Sequence, residues 1–199
     1  MVVIAWAALS IILNFLGVLA NPPDKPPIPL LISVIGPPTL FAIAYSLSAR
    51  VRTLSLSLDL RLLTAMQGWR IIGAMFLVLM TFRLLPGTFA WPAGVGDFIV
   101  GAYAPFVVLV MSRQTTGWRK HVVLLNVLGL LDFVGAIGGG VLAGSSPIGI
   151  LRGDVTTDIM QKLPLSLIPT FGVPFWIILY IISLIKVRKS ASETEESVA

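Results

Sequence analysis

Cysteine is missing from this chain, and histidine occurs once, at His121. The first absence excludes disulfides, thiolate nucleophiles and cysteine metal sites. The second excludes a haem held by two histidines, or a multi-histidine zinc site, built within the chain. There is also no Gly-rich phosphate loop, no G-x-S-x-G elbow and no H-E-x-x-H helix. Ser145 and Ser146 stand beside no histidine. No catalytic residue, metal or cofactor is therefore assigned. Charge is scarce as well: 12% of the residues carry one, where a soluble domain has about a quarter.

What the chain does have is apolar length. It is 56% hydrophobic, with a mean hydropathy of +0.95. A spanning helix takes about 20 apolar residues, so 199 residues leave room for five or six and for no separate soluble domain. The expected fold is all-α: a polytopic transmembrane bundle of about six helices over residues 1–188, then a small acidic, unstructured tail over 189–199. Residues 2–20 form the first apolar run. A signal peptide is the rival reading, with Val18-Leu19-Ala20 as the small-residue site, but the first twenty residues hold no Lys or Arg and so no basic n-region. The second helix is expected over 29–47, broken or kinked at Pro37 and Pro38. Residues 48–65 alternate leucine with polar residues. They suit an interfacial segment, since an open strand edge cannot sit in lipid. Further helices are expected over 65–85, 93–111, 121–143 and 165–185, the last loosened by Pro169 and Pro174. Residues 84–97 read as an apolar loop between helices three and four, re-entrant over the bundle, with Pro92, Gly94 and Gly96 as its hinge positions.

Charge sets the expected orientation. With six helices, one side receives Arg50, Arg52, Arg61, Arg70, Arg113, Arg119, Lys120, Lys186, Arg188 and Lys189. The other receives Lys25, Arg83, Arg152 and Lys162. The basic excess marks the cytoplasmic side and places both termini there. The net charge of +5 is then a matter of topology and lipid contact, with no nucleic-acid partner. Trp69, Trp91, Trp118 and Tyr180 fall near the expected helix ends, as an interfacial belt would.

Charges inside hydrocarbon are costly and become the first functional suspects. Asp132 lies eleven positions after His121, about 16 Å into the fifth helix. Asn126, Gly129, Asp132, Ala136, Gly139 and Ala143 share one face, and small residues let a neighbouring helix approach it. Asp132 therefore points into the bundle, either as a proton or cation site or as a group that joins helices. Arg70 is read at the cytoplasmic edge. Arg83, thirteen residues on, is about 20 Å deeper and is paired with Asp97 at the outer side. Asp132, Asp97, Arg83 and Asn126 are the candidate substrate- or ion-binding residues. His121 reads as an interfacial residue at a helix start.

The element Arg70-x-x-Gly73 … Leu85-Pro86-x-x-Phe89-Ala90-x-Pro92-Ala93-Gly94-x-Gly96-Asp97 resembles a group of small bacterial multi-pass membrane proteins of uncharacterised function. The resemblance extends to Gln67 and covers about a third of the chain. It implies a membrane bundle in the bacterial plasma (inner) membrane and supplies no reaction.

Two functions follow as expectations. One is a small transporter or permeation protein for a small solute or proton, with Asp132 as the ion site. The other is an accessory or assembly subunit, with a membrane-protein partner or a homo-oligomer around it. In either case the lipid bilayer is the first partner. A redox subunit is weakened by the lone histidine. An enzyme built on Asp97 and Asp132 would need those carboxylates closer together than the expected helix positions allow.

Overall fold

In a computed structural model of the chain, which describes residues 1–23 and 25–196, every regular element is helical. Five helices are long and apolar enough to cross a membrane: Ile28–Leu47, Leu60–Thr81, Gly87–Ser112, Trp118–Leu142 and Ile168–Ser190. The first run is the exception to the expected six. Its helix, α1 (Val2–Phe15), has 14 residues, about 21 Å at helical rise against a core of about 30 Å. Gly17 ends it in the left-handed region, at φ 70°. There the Gly17 and Val18 N–H groups cap the Asn14 and Leu13 carbonyls in a Schellman closure.

The next helix, α2 (Ile28–Leu47), carries Pro37 and Pro38 in its interior and stays continuous. The alternating leucines form helix rather than strand: α3 (Ala49–Ser57) is N-capped by Ser48, whose side chain accepts from the Val51 N–H. The Leu56 carbonyl near its C-terminus accepts from Lys186 Nζ, the cation that a helix C-terminus favours.

Asp59 then decides where the third of the expected spans, observed as Leu60–Thr81, begins. Its Oδ1 accepts the Arg61 N–H at 2.8 Å, an N-cap, so α4 (Leu60–Met66) starts five residues before the expected position. The span does not continue as α-helix. Residues Gln67–Ala74 form a 3₁₀ stretch of eight residues before α5 (Met75–Thr81). Such a stretch repeats every three residues and rises about 2.0 Å per residue. Gln67, Arg70 and Gly73 therefore line up on one edge. Gln67 and Arg70 are buried, while Trp69, on another edge, is 71% exposed.

The expected re-entrant loop is mostly helix. After Pro86, α6 (Gly87–Ser112) runs 26 residues through Pro92 and Pro105. Ala90, Ala93, Gly94, Gly101 and Ala104 form its inward face. Small side chains there bring the third span very close: a Cβ on Gly101 would stand 2.5 Å from the Ile71 backbone nitrogen. Next comes α7 (Trp118–Leu142), followed by a polar connection with a short 3₁₀ turn at Thr157–Gln161. A π turn, Ile168–Gly172, with Pro169 near its start, opens the last span. It continues as α8 (Val173–Glu196), so the backbone is helical into the stretch read as a tail; residues 197–199 of that tail lie outside the described residues.

The third span and α7 both pack on α6, and α8 packs on α7 and α2, while α1 packs mainly on the π turn. Apolar clusters fill both halves. Val100, Ala104, Val107, Val122 and Leu125 hold one end together, and Phe76, Leu85, Phe89, Ala90 and Ala93 the other. Between them lies a polar layer. Gly101→Val should push the third span off α6 and cost about 1–3 kcal/mol, read as a lower unfolding midpoint in detergent. Gly135→Ala, whose added Cβ meets nothing within 4 Å, should stay within about 0.5 kcal/mol of the parent.

Candidate functional site

Four spans each place one polar group near their own middle. Arg70 is the eleventh residue of Leu60–Thr81, Asp97 the eleventh of Gly87–Ser112, Asp132 the fifteenth of Trp118–Leu142 and Tyr180 the thirteenth of Ile168–Ser190. Arg70 joins them. Its Nε donates to Asp97 Oδ1 at 2.6 Å, and its Nη2 lies 2.6 Å from the same oxygen. Nη2 also donates to Asp132 Oδ2. Nη1 donates to the Tyr180 hydroxyl at 2.8 Å and to the Gly129 carbonyl at 3.2 Å. The guanidinium carbon sits 4.0 Å from the centre of the Phe133 ring, a cation–π arrangement. The side chains are 2%, 15% and 10% exposed for Arg70, Asp97 and Asp132.

Glycines make room for each member. A Cβ on Gly73 would overlap the Asp97 carboxylate, and one on Gly96 would overlap that of Asp132. A Cβ on Gly129 would stand 2.6 Å from the Tyr180 oxygen and 3.0 Å from Arg70 Nη1. The Gly96 and Gly129 positions thus serve close approach. Gly94 takes the side chain of Leu77 against its backbone.

A second polar layer lies one turn away. Gln67 Nε2 donates to Asn126 Oδ1 at 3.3 Å, and Asn126 Nδ2 donates to Ser183 Oγ at 3.1 Å and to the Val122 carbonyl at 2.6 Å. Gln67, Asn126 and Ser183 are each three residues from Arg70, Gly129 and Tyr180, so the two layers stack across the same three spans. Gln67 Oε1 is buried with no donor among the described residues.

Several expectations change. The Arg83–Asp97 pair does not form: Arg83 is exposed beyond α5, in a left-handed conformation at φ 55°, and Arg70 holds Asp97 instead. The reason is the earlier start at Asp59, which moves Arg70 from the edge to the middle of its span. Trp69 and Tyr180 leave the proposed interfacial belt for the same mid-span level, whereas Trp118 opens α7. Asp97 and Asp132 share one guanidinium, so the separation expected between them is gone. Asn126 does belong to the polar core. Pro37 and Pro38 lie in α2, Pro92 lies in α6, Pro169 lies in the π turn and Pro174 at the start of α8. His121 sits in the first turn of α7, with Nδ1 2.7 Å from the Tyr103 hydroxyl.

Tyr180 and the central role of Arg70 were missed. The signals were Gln67-x-x-Arg70-x-x-Gly73 and Tyr180-x-x-Ser183, polar residues at steps of three inside apolar runs.

Two cavities meet at Asp97. One, of about 100 Å³, reaches from Phe133 and Ile137 to Asn21, Ser145, Asp158 and Gln161. The other, of about 290 Å³, opens sideways between the 3₁₀ stretch and the start of α8, past Trp69, Ile72 and Trp176. Phe76, Phe133, Ile168 and Val173 line both.

The family model described as Domain of unknown function (DUF8737) matches residues 27–188. The chain belongs to that family. Its matched region takes in every member of the polar core and leaves out α1. No curated protein and no solved structure matches the chain.

Asp158 closes the loop above the first cavity. Its partial burial pushes the carboxyl up, but hydrogen bonds outweigh that and hold it below its usual range. These come from the Ser145 N–H at 3.2 Å, Thr156 Oγ1 at 2.9 Å and Gln161 Nε2 at 3.3 Å. A depressed carboxyl stabilises the fold above its unfolded value, about 3.9, and that stabilisation disappears as pH falls through the lower folded value. Asp158→Asn should therefore flatten the acid limb of the stability curve below about pH 4, measured by thermal unfolding across pH.

The core makes a second prediction. Arg70→Met leaves two carboxylates facing each other without their cation and should cost about 3–5 kcal/mol. Adding Asp97→Asn and Asp132→Asn removes the uncompensated charge and should restore most of the loss in the same unfolding assay.

Proposed function

We propose that this protein is a small membrane transporter or permeation protein, with Asp97 and Asp132 around Arg70 as its proton or cation site. One observation carries the reading. A single guanidinium is shared by two carboxylates at mid-span. With both carboxylates ionised, the triad has a formal charge of −1 in a medium where unbalanced charge is expensive. One proton or one monovalent cation balances it. Asp132 thus keeps the role assigned from its position, with Asp97 beside it, while Arg83 takes no part in the site.

The surroundings suit a moving part. The 3₁₀ stretch and the π turn border the same cavity, and both geometries recur where helices hinge or serve function. The orientation follows from basic residues. With Arg70 in the core, Arg50, Arg52, Arg61, Arg113, Arg119, Lys120, Lys186, Arg188 and Lys189 face Lys25, Arg83, Arg152 and Lys162. The richer side is cytoplasmic, and the loop at Ser145 is external. The bacterial inner membrane is the location that the resemblance supports.

The alternative is an accessory subunit of a larger membrane complex. The dense bonding of Arg70 favours it, since contacts from three other spans join helices whether or not an ion binds. Reconstitution into liposomes separates the two. Transport predicts proton or monovalent-cation flux that drops at least tenfold in Asp132→Asn. Flux unchanged in that variant removes the carboxylate's role. Absent flux from the parent, together with copurification in a defined complex, establishes the alternative.

A further inference from the structure

The lateral cavity has chemistry that a proton site alone does not need. Asp97 presents its two oxygens differently. Oδ1 accepts both contacts from Arg70. Oδ2 has no donor among the described residues, and it lies against Gly73, which lines the lateral cavity. The mouth of that cavity is apolar and faces outward: Trp69 is 71% exposed, Met75 54% and Ile72 49%. On the bundle side, Phe76 and Trp176 offer ring surfaces, and aromatic faces attract cations. The space of about 290 Å³ is at the lower end for small-molecule pockets. A carboxylate that lines an apolar cleft, in a triad with one excess negative charge when both acids are ionised, fits a cation with N–H donors and a short hydrocarbon chain.

We propose that the lateral groove takes a lipophilic alkylammonium ion from the bilayer, its head on Asp97 Oδ2 and its chain between Trp69, Ile72 and Trp176. This names the substrate class of the ion site and rests on that reading. The ammonium supplies the positive charge that a proton otherwise supplies, so each ion bound displaces about one proton. The groups around Asp97 that share the charge are Arg70 on its own 3₁₀ stretch, Asp132 on α7 and Tyr180 on α8, with Asp158 in the adjoining cavity.

The experiment is equilibrium binding of radiolabelled octylammonium to protein in lipid nanodiscs, with empty nanodiscs subtracted. Saturable binding is expected. Octanol and octanoate, with the same chain and a neutral or negative head, should compete at least tenfold more weakly. Asp97→Asn should weaken binding at least tenfold. Ile72→Trp, a change on the exposed lipid side that fills the groove, should also weaken it at an unchanged unfolding midpoint, which guards against an Asp97 variant that folds poorly. Binding no greater than in empty nanodiscs, octanol competing equally, or parent-like affinity in Ile72→Trp would each overturn the proposal. A pH-sensitive dye in weak buffer keeps the two readings apart. Octylammonium bound without proton release upholds the groove and removes the exchangeable proton. A carboxyl that titrates in infrared difference spectra, lost in Asp132→Asn and unaccompanied by amine binding, upholds the ion site and overturns the groove.

Discussion

Everything in this bundle is arranged around one buried arginine near the middle of its span. Taking a guanidinium out of water costs several kcal/mol even after relaxation, and close partners must offset it. Arg70 finds two carboxylates, a phenol, a backbone carbonyl and an aromatic face, drawn from three other spans. A burial of this kind leaves little freedom to the neighbours. The glycines at 73, 96 and 129 stand where any side chain would collide with the polar groups, so the site sets the composition of the helix faces around it.

The third span shows how far that influence reaches. An α-helix would send Gln67, Arg70 and Gly73 progressively around its axis at 100° per residue. The 3₁₀ geometry stacks them on one edge, where Gln67 meets Asn126 and Arg70 meets Asp97. Its greater rise also makes the span about 4 Å longer than eight α-helical residues would. The weaker 3₁₀ hydrogen bonding is offset by the polar contacts it allows. It also leaves this segment as the least regular wall of the lateral cavity, opposite the π turn of the last span.

Two of the apolar clusters lie on either side of the charged layer. Hydrocarbon supplies no hydrophobic drive between helices, so close packing and polar contacts must do the joining. Here the small face of α6 provides the first and Arg70 the second. That combination explains why a single irregular span can be held firmly on one side, through Gly101, while its other side borders open space.

Much of this was readable from residue order. The membrane class followed from composition. The inward face of α7 followed from Asn126, Gly129 and Asp132 at helical spacing, and Asp132 at mid-depth followed from counting rise per residue. These inferences depend on local periodicity, which a regular helix preserves. The pairing of charges did not follow, because it depends on where each span starts. Asp59, in a run of alternating leucines, looked like surface; as an N-cap it shifted the third span by five residues and carried Arg70 to the centre. The change of period at Gln67 hid the shared edge, and α6 took up most of the stretch read as a loop. The sequence by itself determined a helical membrane chain with an inward-facing carboxylate at Asp132. The tertiary structure decided which cation that carboxylate meets, since partners 27 and 62 residues apart are brought together only by the packing of whole helices.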